Sequence, residues 1–179
     1  MRVHQVVFAA IVRIDAIEAK HPALLETYRG RELECVKAYF FSKVPLGKIF
    51  SADTWADLWA TYSVFDESYA DRKSFGFFID VGNGFSTLVP TLLLLYGMTF
   101  EIVPAWVLGV LGVMFHGQMW YGTLVYFGSF LFNRRYVGHT PGNLAIFVGL
   151  TNGLWFTFPV LGFWAAIRLI VDDGFAVFL

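Results

Sequence analysis

A carboxylate stands inside a long apolar run. Asp80 lies within Ser74–Met98, about 25 residues of nearly unbroken hydrophobic sequence. An acid in a membrane span costs on the order of 2.5–3.5 kcal/mol on insertion scales, so its presence needs a reason. Asn83 and Thr87 follow at i+3 and i+7 and share a helix face with it, while Phe, Val and Leu occupy the other face. Two further runs carry polar groups at comparable depth. His116, Tyr121, Thr123 and Tyr126 fall in the second, and Asn152 and Trp155 in the third. Lipid offers no hydrogen-bond partner, so such faces turn toward other helices or a cavity. The simple reading is interhelical hydrogen bonding. The sharper one is a pocket for a greasy molecule, where a carboxylate and an imidazole exchange protons and aromatic faces stabilise a cation. On that reading Asp80, Asn152 and Trp155 line one cavity.

The elements that must hold these residues are legible from hydropathy. The chain has 179 residues, 57% hydrophobic and 19% aromatic, with 15% charged and a mean hydropathy of +0.59. Soluble domains carry about 25% charge, so the composition points to an integral membrane protein. The expected fold is all-α, a polytopic transmembrane helix bundle with spans near 75–98, 103–132 and 143–171. Each is long enough for a hydrocarbon core of roughly 30 Å at 1.5 Å per residue. Pro104 opens the second span, and its glycines permit close helix approach. Pro159 kinks the third and frees a carbonyl that can border a cavity.

The remaining chain reads as two parts. Residues 1–50 form a divergent N-terminal helical segment, and 51–179 the transmembrane domain. Val3–Ile17 is too short and charged to span and suits an interfacial or packed helix. Val6–Val12 lacks the features of a cleaved leader. Glu18–Lys37 is a solvated helix or linker pattern, and Pro45 and Gly47 interrupt the mixed stretch after it. Trp55, Trp59, Tyr62, Phe65 and Tyr69 recur at helical spacing, which suits an interfacial helix over 55–70.

Several classes are excluded. A formal net charge of −1 gives no basic face for nucleic acid. One cysteine, Cys35, rules out a disulfide framework and a cysteine zinc site. No phosphate loop, zinc signature, nucleophile elbow or repeat is present, and no metal or other cofactor is expected.

Three short motifs resemble one family. They are Leu58-Trp59-x2-Tyr62-x3-Asp66-x2-Tyr69 with Asp80 beyond it, Tyr121-Gly122-x3-Tyr126-Phe127, and Pro141 followed by Asn152-x-Leu154-Trp155-x3-Pro159. In order and spacing the chain resembles the emopamil-binding protein family, whose members share the EXPERA domain and include the sterol Δ8–Δ7 isomerase. The resemblance covers roughly residues 55–171. It implies an isomerase that shifts a carbon–carbon double bond in a sterol or similar isoprenoid or polyketide through a carbocation. Asp80 would be the acid/base carboxylate, and Asn152 and Trp155 would line the pocket with Trp155 facing the cation. Asn83, Thr87, Tyr121, Thr123 and Tyr126 complete the substrate-binding set. The family's His-x3-Glu falls where Gly30 and Glu34 stand, and Thr123 replaces an acidic residue. The second proton-transfer group is therefore Glu34 or His116. The implied partners are a hydrophobic small-molecule substrate and the lipid bilayer, with a homodimer allowed. The implied location is the endoplasmic reticulum membrane. Alternatives are a non-catalytic sterol-binding or membrane-protein-maturation factor, a cyclase of a hydrophobic metabolite, and a purely structural bundle.

Overall fold

The computed structural model describes residues 8–176. Residues 3–7 of the expected N-terminal helix, with Val6 and Val7 of the leader reading, lie outside them. Every regular element among the described residues is helical. In chain order they are α1 (Ile14–Tyr28), α2 (Glu32–Phe40), α3 (Ala52–Ser63), α4 (Phe75–Ser86), α5 (Leu88–Phe100), α6 (Ala105–Phe132) and α7 (Thr151–Asp172). Two 3-10 turns, Leu46–Lys48 and Glu67–Tyr69, flank α3, and a π-helical stretch, Leu144–Leu150, leads into α7.

The described chain forms two compact units. One comprises residues 8–85 and 135–145, the other 86–134 and 146–176. In the first, α1 and α2 both pack on α3.

In the first unit α3 is central. Ser51 caps it by accepting from the Asp53 N–H at 3.2 Å. Ala56, Trp59, Ala60 and Ser63 then face inward. The aromatic spacing expected to lie at a membrane–water interface is turned into this core: Trp59 is 8% exposed and Tyr69 3%. Trp59 Nε1 donates to the Tyr69 carbonyl at 2.7 Å, and Tyr62, Tyr69 and Phe77 meet it or each other edge-on. The 3-10 turn is capped by Asp66, which accepts from the Ser68 N–H at 3.1 Å. Asp66 also receives Arg135 Nη1 at 2.8 and 2.7 Å, with its side chain fully buried. At the surface Arg13 pairs with Asp53, Lys20 with Asp57, and Arg72 with Asp15 and Glu18. Such exposed pairs contribute about 0–1 kcal/mol each.

The second unit follows the opposite rule. Small residues line the contact between α6 and α7, and many large apolar side chains lie on the exterior. A Cβ added at Gly109 would lie 2.6 Å from the Ala166 carbonyl oxygen, and one at Gly112 2.8 Å from the Ala166 Cβ. The α6 and α7 backbones thus approach through glycine and alanine, as membrane helices do. Leu94, Ala105, Leu108 and Leu169 form the buried centre, while Leu92, Leu95, Met114, Phe158 and Trp164 point outward.

Among the described residues two helical stretches are long and apolar enough to cross a membrane, Phe75–Phe100 and Pro141–Asp172, and only 11% and 17% of their most apolar windows are buried inside the protein. The first is not one regular helix, because it breaks at Thr87. Pro90 has no N–H to give to the Ser86 carbonyl, and α5 begins anew. Helix α6, the expected second span, is 28 residues long but less hydrophobic. His116, Gln118, Trp120, Tyr121 and its glycines dilute its aliphatic residues.

Candidate functional site

Helices α6 and α7 border a half-open pocket of about 480 Å³. It is lined by Phe115, His116 and Met119 from α6 and by Thr151, Leu154, Trp155, Phe158 and Pro159 from α7. The size is that of an ordinary small-molecule site, and the lining is apolar except at His116 and Thr151.

Local sequence builds this pocket in three steps. First, Pro159 is buried in mid-helix and cannot bond the Trp155 carbonyl one turn back. The Thr123 hydroxyl lies 3.2 Å from that carbonyl and 3.1 Å from the Met119 carbonyl, and shares its one proton between them. Second, the π-helical stretch widens the turn before Thr151. The Phe147 carbonyl there accepts from Asn152 Nδ2 at 2.8 Å and from the Thr151 hydroxyl. Such widened turns often sit beside functional sites. Third, Gly162 makes room for an imidazole. A Cβ at that position would fall 2.3 Å from His116 Cε1 and 2.4 Å from its Nε2.

His116 is the only titratable group of the lining. Its Nδ1 is buried and has no hydrogen-bond partner. Either tautomer leaves that nitrogen unsatisfied, as a donor or as an acceptor. A ligand hydroxyl can serve either case. An apolar molecule with a reactive bond beside the ring could instead receive or surrender a proton there.

The residues singled out in the sequence are distributed unevenly. His116 and Trp155 share the pocket, and Thr123 holds the Trp155 backbone. Asn152, between the lining residues Thr151 and Leu154, gives its amide to the Phe147 carbonyl. Tyr126 is buried among Phe127 and Phe130, whereas Tyr121 is 66% exposed. Thr87 marks the break before α5. Asp80, Asn83 and Glu34 belong to the other unit. Asp80 is half-buried on α4, and its side chain has no hydrogen bond or ion pair among the described residues. Asn83 lies one turn further and is also half-buried. Glu34 is exposed and pairs with Arg31 at 3.3 Å.

The buried acid of α2 is instead Glu32, at 2% exposure. Its oxygens accept from the Gly30 N–H at 3.0 Å and from Asn143 Nδ2, and His139 Nδ1 lies 3.3 Å away. Phe65 stacks on the His139 ring at 4.5 Å. This cluster, with Asp66 and Arg135, fastens residues 135–145 to the first unit. Its partners are separated by 69 and 111 positions, so no local pattern could have disclosed it.

Comparison with protein-family models, curated proteins and solved structures finds no match.

Proposed function

We propose that this chain is a three-span integral membrane protein that takes a hydrophobic small molecule into the α6–α7 pocket and moves a proton on it. The reaction is the shift of a carbon–carbon double bond in a sterol or a similar isoprenoid or polyketide. The observation that carries the reading is His116, a titratable ring with an unsatisfied buried nitrogen, in an apolar cavity beside Trp155. Protonated His116 gives its proton to one alkene carbon. The face of Trp155 stabilises the resulting cation. A base then removes a proton from the neighbouring carbon, with no net change in oxidation state and no cofactor. Neutral His116 can serve as that base. The resemblance of the sequence motifs supports the same chemistry.

A second reading is a non-catalytic sterol-binding or maturation factor. Thr123 and Asn152 favour it, because both spend their polar groups on backbone carbonyls. Incubating membranes with candidate sterols and resolving double-bond isomers by mass spectrometry separates the two. Product from the wild-type chain supports the isomerase, and retention without conversion supports the binder. Asp80→Asn keeps shape and removes the titrating proton. Turnover should stay unchanged if His116 acts alone.

A further inference from the structure

Large apolar residues are exposed in several parts of the first unit, Phe75, Phe78 and Phe85 on α4 among them, but along one connection they alternate with lysines. Between α2 and α3, Phe40 is 65% exposed, Phe41 86%, Leu46 81% and Phe50 79%. Lys37, Lys43 and Lys48 are interleaved with them, and no acid occurs between Glu34 and Asp53. Among the described residues none of these lysines makes an ion pair, whereas Arg13, Lys20, Arg31, Arg72 and Arg135 all do.

The connection is nonetheless well built. The Ser42 hydroxyl donates to the Tyr39 carbonyl, the Lys48 N–H to Pro45 at 2.8 Å and the Ser51 N–H to Lys48 at 2.9 Å. The Tyr39 hydroxyl donates to the Thr54 carbonyl and Trp55 Nε1 to the Ile49 carbonyl, so both ends are pinned to α3. The apolar side chains are therefore held outward by an ordered backbone. Ordering before contact lowers the entropic cost of binding.

We infer that residues 37–50 are an interfacial anchor that seats on an anionic lipid surface. Phe40, Phe41, Leu46 and Phe50 enter the acyl boundary, and the three lysines meet acidic headgroups. Pro45, Gly47 and the lysines forbid a crossing, so the segment lies in the interface plane. Charge complementarity chooses the partner: cations spaced among apolar groups, with no local acid, suit a negative leaflet. The inference rests on the membrane reading proposed above.

The test uses the full chain carrying Cys35→Ser and a fluorophore on Leu46→Cys, with Glu26→Cys as the control position. It is reconstituted in phosphatidylcholine bilayers with or without phosphatidylserine, each containing nitroxide-labelled lipid. The expected result is a blue shift and quenching at position 46 but not 26, greater with phosphatidylserine. Lys37→Gln, Lys43→Gln and Lys48→Gln together should remove the phosphatidylserine-dependent part. No quenching at 46 in a chain that resists carbonate extraction overturns the anchor and leaves the membrane reading standing. Quenching at 46 on phosphatidylserine vesicles by a chain that carbonate releases supports the anchor and removes the spanning reading. Equal quenching in both bilayers overturns the anionic partner. A blue shift that follows protein concentration or an added acidic peptide, rather than lipid, assigns the surface to protein docking and overturns the proposal.

Discussion

The two compact units are built on opposite physical rules. In the first, aromatic residues fill the interior and several charges are paired at the surface or clamped inside, as with Asp66 and Arg135. In the second, glycine and alanine fill the contact between α6 and α7 while many leucine, phenylalanine and tryptophan side chains face outward. Water drives apolar groups inward, whereas lipid is as apolar as leucine and rewards close backbone contact instead. One chain uses both rules, so the packing typical of membrane helices belongs to particular elements rather than to the average composition.

Breaking the clamp should produce the largest effect. Asp66→Ala leaves the Arg135 guanidinium without its buried carboxylate, and removing one partner of such a pair costs about 3–5 kcal/mol. Hydrogen exchange should rise across α1–α3 and stay unchanged in α6 and α7. The double variant Asp66→Leu with Arg135→Met should recover much of the loss, because replacing both charges removes the unpaired one. Equal loss of protection in both units would erase the distinction between them.

A smaller effect should follow from crowding the second unit. Gly109→Ala places a methyl 2.6 Å from the Ala166 carbonyl oxygen, and overpacking of this kind costs about 1–3 kcal/mol. Exchange should increase in α6 and α7 and leave α1–α3 protected.

The smallest effect is a pH dependence confined to the first unit. His21 Nδ1 lies 3.0 Å from the Ser63 hydroxyl, and burial holds its pKa below the ordinary 6.5, with Glu67 opposing in part. The unfolded chain therefore takes up the proton more readily. The neutral histidine's contribution is complete above the unfolded value and is lost as pH falls through it toward the folded one. His21→Gln should flatten the slope of thermal stability on the acidic side of 6.5. An unchanged slope would remove His21 as its source.

The hydrophobic runs were legible because membrane length and hydropathy constrain them tightly. Expected spans of 75–98, 103–132 and 143–171 compare with helical stretches Phe75–Phe100, Ala105–Phe132 and Pro141–Asp172, of which the first and third are long and apolar enough to cross a membrane. The break at Thr87 was less visible, although Pro90 supplies its cause. His116 and Trp155 stood out as polar or aromatic residues inside apolar runs. Their shared pocket depends on the Pro159 kink and on Gly162, which act through three-dimensional packing. The N-terminal third was the hardest to read, because its decisive contacts are distant in sequence. Glu34 drew notice, yet the buried acid is Glu32, two positions and more than half a turn around the same helix.

The central claim is that His116 moves a proton on a hydrophobic substrate in the α6–α7 pocket. Turnover in deuterated water measures that step directly. Membranes carrying the wild-type chain or His116→Gln are given candidate sterols, and mass spectrometry follows deuterium in the isomerised product. The wild-type product should carry one solvent deuteron, and His116→Gln should form it about 10²–10⁴-fold more slowly. Equal rates of deuterium incorporation by the two proteins, or a wild-type product without solvent deuterium, would contradict the account.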